Sequence, residues 1–442
     1  MIRIANGTLV SARPGAPSEE VRRADLWVQD HRILHVGDAP PAGVGEPVQT
    51  VDATGCFVIP GFVQTHVHLC QTLFRNLAEN LQLLDWLRRK IWPMEAAHDR
   101  STLSASARLG IAELLTGGTT ALLDMGTVHH HDAVFEAARA SGIRYTGGKA
   151  MMDAGEGVPD GLRETTRDSL RESLDLISGF HDQEGGRLRF AFAPRFVLSC
   201  SLHLMEEVRD LSRDRGLVVH THASENAGEV EAVRQALGRE NIDWFHHVGM
   251  GSPRLCLAHC VWVTEREMDL MAASGTHALH CPSSNLKLAS GIAPVVEMRR
   301  RGVSVSLGAD GAPCNNRLDM FAEMRLAAML AKLKHGPAAL SAREVFEMAT
   351  LGGARALGLE DRLGTLAPGK LADLAVIDAA SLHCVPWEDP FTVLVYSAQT
   401  SDVRDVMVDG RWVVRNRALL TMDEAAVVAQ ANAAWEALRG RL

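Results

Sequence analysis

Two histidines separated by a single residue, His66 and His68, end the apolar run PGFVQTHVHLCQ, Pro60 to Gln71. On an extended strand alternate side chains share a face, so both imidazoles point the same way. Neutral imidazole is the commonest biological metal ligand, and an HxH pair offers two nitrogens to one ion. Further along, HTHASE carries His220, His222 and Glu225, LAHC carries His259, and LGADG carries Asp310. His222 and Glu225 stand three apart at a strand-to-helix turn, so one can hold a metal while the other reaches its water. On a regular strand His220 shares the face of His222; it either competes as a ligand or packs behind. His259 is placed to bind metal or to hold water and leaving group. Asp310 follows the apolar stretch VSVSLGA, where a carboxylate is costly unless a cation or hydrogen bonds compensate it. Three histidines and one aspartate can hold a divalent ion and leave a position open for water. Such an ion lowers the pKa of water toward neutrality, and Glu225 can carry a proton to a leaving group.

These residues need strands to present them. Eight apolar strand candidates run over residues 58–68, 119–126, 143–153, 188–196, 217–225, 255–261, 276–285 and 303–311. Helical segments separate most of them, and three of these segments, such as TEREMDLMAASG, stop at glycine. The pattern predicts an α/β fold, a (β/α)8 barrel. A doubly wound sheet is the competing architecture, but no GxGxxG follows the first strand. The histidines, Glu225 and Asp310 all fall toward the C-terminal ends of the strands, which in a barrel form the catalytic mouth. Residues 1–60 read instead as short strands with Gly, Asn and Asp turns, and the chain returns to that style after residue 365. We therefore expect one small β-sandwich domain built from residues 1–60 and 366–442, with a terminal helix, and a barrel over residues 61–365.

With 442 residues, 46% hydrophobic and 22% charged, the chain is an ordinary globular sequence. A net charge of −9 without a Lys/Arg block argues against nucleic acid as a partner. No 18-residue apolar span and no signal-like start occur, so no membrane partner and a cytoplasmic location are expected. Eight scattered cysteines without a CxxC pair read as reduced, buried thiols.

PGFVQTHVH, HTHASE, LAHC, HCPSSN and LGADG, in this order, resemble the amidohydrolase superfamily. More narrowly they look like its metal-dependent deaminase branch, the relatives of guanine deaminase, adenosylhomocysteine and methylthioadenosine deaminases and the triazine hydrolases. The resemblance implies that His66, His68, His222 and Asp310 bind one divalent metal, usually Zn2+ but with Fe2+ or Mn2+ also suited. It implies Glu225 as proton shuttle and His259 as the residue orienting water and substrate. Binuclear relatives carry a lysine at the end of the fourth strand; here that place reads APRF, so one metal is expected. The implied reaction is hydrolytic removal of an amino group from a heteroaromatic ring, Asp310 taking a proton from water and Glu225 giving one to a ring nitrogen. Ammonia leaves. A homo-oligomer is also implied.

Substrate-binding candidates are Gln71, Trp86, Glu95, Arg195, Phe196 and His259. Arg195 and Gln71 suit a ring carbonyl and Phe196 a stacked ring; HLCQ and PRFVLSC resemble guanine deaminase here. This places a guanine-, oxopurine- or pterin-like lactam first. The segment around Trp86 and Glu95 resembles adenosine-type deaminases, in which the glutamate binds ribose, so an adenosine-type nucleoside (5′-deoxyadenosine, methylthioadenosine or S-adenosylhomocysteine) stands second. A triazine stands third. Fold resemblance alone does not choose among them.

Overall fold

The structure is a computed structural model, and it describes residues 1–13, 15–39 and 45–442. Its centre is a parallel barrel. We number its strands β1 (Phe62–Val67), β2 (Thr119–Met125), β3 (Arg144–Gly148), β4 (Leu188–Pro194), β5 (Val218–Ala223), β6 (Leu255–His259), β7 (His277–His280) and β8 (Ser304–Leu307). Each hydrogen-bonds to the next in chain order. Strands covered on both faces read as continuous apolar runs, which is why β1, β2 and β6 show no alternation and are buried throughout. The ring closes between β8 and β1. Asp310 N donates to His66 O at 2.9 Å, and Thr65 Oγ1 donates to Leu307 O at 3.0 Å. Closure at this point requires glycine at residue 308: a Cβ there would lie 2.6 Å from His66 N.

The helices that follow the strands carry their own start signals. Asp99 caps the helix Arg100–Thr116 with a capping box, and Thr264 does the same for Glu265–Ser274. Among the described residues no helix is long and apolar enough to cross a membrane. All eight cysteines are free and buried.

The two chain ends meet in a second domain of two sheets. Ile2–Ala5, Leu26–Gln29, Arg32–Val36 and Gln49–Asp52 form one sheet. The other joins Thr8–Val10, Val21–Arg23 and Cys56–Pro60 to Leu374–Asp378, Val403–Val408, Arg411–Arg415 and Ala418–Leu419. Ile4, Leu26, Val58, Val376 and Met407 fill the space between them.

Two expected strands divide. The run 58–68 breaks at Gly61: Cys56–Pro60 pairs antiparallel with Leu374–Asp378 in the sandwich, and only Phe62 onward enters the barrel. The run 143–153 breaks around Lys149 into Arg144–Gly148 and Ala150–Met151. Arg144, at the start of β3, bonds to Asp373 at 2.8 Å and Asp409 at 3.1 Å, a buried ion cluster tying barrel to sandwich.

Candidate active site

The strand ends bring His66, His68, His222, His259, Glu225 and Asp310 together at one end of the barrel. His68 Nδ1 lies 2.8 Å from Met125 O, and His222 Nδ1 lies 2.6 Å from Arg195 O. Each Nδ1 therefore carries the proton and donates it, which leaves each Nε2 as a bare lone pair. These two Nε2 atoms face one another at 3.3 Å. His66 Nε2 is buried without a hydrogen-bond partner. Asp310 Oδ1 stands 3.4 Å from both His66 Nε2 and His68 Nε2. Two bare imidazole nitrogens, the unpartnered His66 Nε2 and a carboxylate oxygen thus converge, an arrangement that a cation between them would relieve. The donor set fits one divalent ion, and its N and O donors suit Zn2+, Fe2+ or Mn2+.

Electrostatics favours the same state. Burial drives the His68 ring down to about 3 and holds His66 and His222 below the ordinary imidazole range, so all three are neutral and free to ligate. Burial alone would raise the Asp310 carboxyl, but positive charge at the His66, His259 and His68 rings outweighs it and holds it well below the usual range; neutral rings lack that charge, and a cation held among them would supply it. The Asp310 oxygens accept from Ser284 Oγ at 2.6 Å and Gly311 N at 2.7 Å. Glu225 is the opposite case: burial, with the Asp310 charge adding to it, pushes its carboxyl well up. Two carboxylates with diverging proton affinities side by side are what an acid and a base require.

His259 Nδ1 meets Asn285 Oδ1 at 2.9 Å, so its Nε2 faces the cavity, 3.5 Å from Glu225 Oε2 and 3.8 Å from Asp310 Oδ2. His66, His222 and His259 also lie within ligand reach of one another. His220 stands behind the cluster, its Nε2 2.7 Å from His66 Nδ1, where it orients that ring. His259 and Asp310 take left-handed backbone, φ +74° and +63°, as does Ser224 before Glu225 at +53°. Such strain in non-glycine residues costs about 1–3 kcal/mol each and gathers at functional sites.

Leu83, Trp86, Leu87, Phe196 and Leu288 form the apolar wall of the cavity above this cluster. Trp86 Nε1 is anchored on Ala78 O, leaving the ring face to the cavity. Gln71 and Arg195 also line it, and both are tied to Glu95. Arg195 Nη1 and Nη2 grip the Glu95 carboxylate at 2.5 and 3.1 Å, and Gln71 Nε2 donates to Glu95 Oε1 at 2.8 Å. Turning the Gln71 amide over would set its oxygen against that carboxylate, so its orientation is fixed. Gln71 Oε1 is left buried and unpartnered. Glu95 itself stands behind both residues and does not line the cavity.

Sequence reasoning passed over Glu229. It is buried, lines the cavity, and accepts the Glu225 N–H at 2.8 Å while Asn241 holds its other oxygen. Asn226 and Glu229 form a capping box, and that N-x-x-E spacing was the available signal. His280 and Ser283, from the motif HCPSSN, stand apart from Asp310: His280 borders a separate small cavity with Ile292 and Val296, and Ser283 bonds to Glu323. Ser284 takes the place beside Asp310. In the histidine run that follows β2, His129 and His130 are exposed, whereas His131 is buried against Tyr145.

Residues 57–413 match the pattern of the amidohydrolase family. The chain belongs to that family. This amidohydrolase is an enzyme acting on carbon–nitrogen bonds. It is 40% identical over 421 residues to the 5′-deoxyadenosine deaminase of Methanothermobacter thermautotrophicus, covering 95% of this chain and 96% of that one. It is 39% identical over 433 residues to the 5-methylthioadenosine/S-adenosylhomocysteine deaminase of Halobacterium salinarum, covering 97% and 96%. Among solved structures, a zinc-bound adenosine deaminase from Xanthomonas campestris superposes with a TM-score of 0.91 at 32% identity over 99% of this amidohydrolase and 98% of its own chain. The guanine deaminase of E. coli superposes at 0.85 with 29% identity over 94% and 100%.

Proposed function

We propose that this amidohydrolase removes the ring amino group from an adenosine-type nucleoside, using one Zn2+ held by His66, His68, His222 and Asp310. The observation that carries the nucleoside over the lactam ring is the state of Gln71 and Arg195. A lactam carbonyl needs free donors, and Gln71 Nε2 and both Nη groups of Arg195 each direct one N–H to Glu95, whose carboxylate neutralises the guanidinium. Gln71 Oε1 is an unpartnered acceptor, buried beside Gly311, and adds no donor for a ring carbonyl. The names of the 40% and 39% identical relatives support the same choice. The guanine-like reading is accordingly replaced by the adenosine-type one.

The metal supplies a positive centre that makes water acidic at neutral pH. The chain's residues do the rest. Asp310, kept ionised, accepts a proton from the water. Glu225, with its raised proton affinity, delivers a proton to the ring nitrogen beside the reacting carbon, and the proton that Asp310 took from water passes to the amino group, which leaves as ammonia. His259 presents Nε2 beside Glu225 and holds the water and the leaving amine in line. Trp86 and Phe196 cover the ring and exclude bulk water. Ammonia release from 5′-deoxyadenosine, methylthioadenosine and adenosine, compared with guanine, isoxanthopterin and melamine, tests the assignment. The adenosine derivatives should have the highest kcat/KM; preferential turnover of guanine or isoxanthopterin would overturn it.

A further inference from the structure

The sandwich strand Leu374–Asp378 runs out into residues 379–389, which form neither helix nor strand. One carboxylate organises this turn. Asp402, just before the strand Val403–Val408, accepts from Ser381 Oγ at 2.9 Å, from His383 Nε2 at 2.7 Å and from Gln399 N at 3.0 Å. Cys384 Sγ lies 3.9 Å from Asp402 Oδ2, the same oxygen that His383 meets. The Asp402 side chain is only 3% exposed, and among the described residues its ion-pair partner is His383, with no lysine or arginine beside it. The positive charge that balances this buried carboxylate therefore comes from a protonated imidazole or from an ion.

We propose that His383, Cys384 and Asp402 form a second metal site, outside the barrel, for a divalent ion such as Zn2+ that braces the sandwich and takes no part in catalysis. One nitrogen, one sulfur and one oxygen from the three side chains lie within 4.8 Å of one another. In a tetrahedral Zn2+ site, with Zn–N and Zn–O of about 2.0–2.1 Å and Zn–S of about 2.3 Å, ligand atoms stand about 3.3–3.6 Å apart. The separations of 2.7 Å from nitrogen to oxygen and 3.9 Å from sulfur to oxygen bracket that spacing. Small side-chain adjustments thus seat the ion. The His383 side chain is 38% exposed, which gives the ion a route from solvent and water a place as fourth ligand. A thiolate and a carboxylate together balance a divalent charge, the thiol proton going to solvent. Sulfur in the set favours Zn2+ over Mg2+, Ca2+ or Mn2+. The bound ion staples the turn after Leu374–Asp378 to the start of Val403–Val408, its antiparallel neighbour.

The test uses the full chain reconstituted with Co2+, as wild type, Cys384→Ser and His383→Ala. The ligands proposed for the catalytic ion are nitrogen and oxygen only, so a thiolate-to-cobalt charge-transfer band in the near ultraviolet reports Cys384. The wild type should bind two equivalents by atomic emission, the second with a Kd of about 10 μM or tighter, and show the band. Each variant should bind one equivalent, lose the band and keep the wild-type kcat/KM, because neither residue lines the barrel cavity. Serine at 384 preserves a donor toward Asp402, which guards the fold. One equivalent in the wild type, a band that survives Cys384→Ser, or a second Kd weaker than about 10 μM, an adventitious ion only, overturns the proposal. A second equivalent of Zn2+ should likewise raise the Tm of the wild type and leave that of Cys384→Ser unchanged; equal shifts in both would place the ion elsewhere and also overturn it.

Discussion

Glu225 and Asp310 are both buried carboxyl groups at strand ends, yet one holds its proton and the other gives it up. If Glu225 moves the proton, Glu225→Gln should cost about 10²–10⁴-fold in kcat and leave the bound metal, measured by atomic emission, unchanged. A third buried carboxyl, Asp124 on β2, shows how far the supporting network extends. It accepts from Leu69 N and from Tyr145 Oη, each at 2.8 Å, and Tyr145 in turn meets His131. This chain pins the turn directly after His68. Burial lifts Asp124 to about 7, above its value of about 3.9 in an unfolded chain. Above pH 7 the folded protein bears the full cost of the buried charge. As pH falls from about 7 toward 4 the folded state takes up a proton that the unfolded state does not, so this site adds stability on acidification. Asp124→Asn keeps the bond to Leu69 N and should flatten that part of the stability-against-pH curve in urea titrations. The ligands themselves were legible because an imidazole or carboxylate ending an apolar run is expensive without a purpose. The direction of Gln71 and Arg195 was not, since it depends on Glu95, 24 and 100 residues away in the chain.

The helix Ala227–Leu237 begins where the proton shuttle ends, and its first turn fixes the shuttle's backbone through Glu229. Glu229→Ala removes the acceptor for Glu225 N–H and leaves Asn241 facing empty space. We expect kcat to fall by about 10²-fold through misplacement of Glu225, with little change in KM, and stability to drop by about 1 kcal/mol for the lost cap. Equal losses in kcat and KM-limited binding would place Glu229 against the substrate instead. The strands that present the site were readable from continuous apolar runs bounded by turns. Their limits were not: residues 58–68 look like one strand, and only pairing with Leu374–Asp378 assigns the first part to the sandwich. Sheet membership is set by partners far along the chain, which local periodicity does not record. Gly61, the hinge between the two sheets, lies against Thr120, where a Cβ would meet Oγ1 at 2.1 Å.

Because the four proposed metal ligands come from β1 and the residue after it, from β5 and from the turn after β8, only the closed barrel assembles them. Metal binding then counts as folding free energy. A chelator-treated sample should melt below a Zn2+-reconstituted one, by the equivalent of about 4 kcal/mol when free metal is a thousandfold above Kd; equal melting temperatures in calorimetry would remove the ion from this site. The barrel in turn depends on the sandwich through Arg144, Asp373 and Asp409. Arg144→Ala leaves Asp373 buried and unpaired and should destabilise by about 3–5 kcal/mol, seen as an earlier urea midpoint. That both chain ends share one domain was legible from the matching style of the two terminal segments. The ion cluster that fastens this domain to the barrel was not, because arginine and aspartate meet there from 229 residues apart. The shared domain also imposes a timetable on synthesis. Cys56–Pro60 emerges from the ribosome about 300 residues before its antiparallel neighbour Leu374–Asp378, an interval of roughly 15–60 s at ordinary translation speed. For that time a wholly buried strand has one bare edge, and the nascent barrel is built while tethered to an unfinished sheet. A chaperone that shields strand edges is therefore of most use before residue 374, and a circular permutant joining the natural ends should shorten the wait.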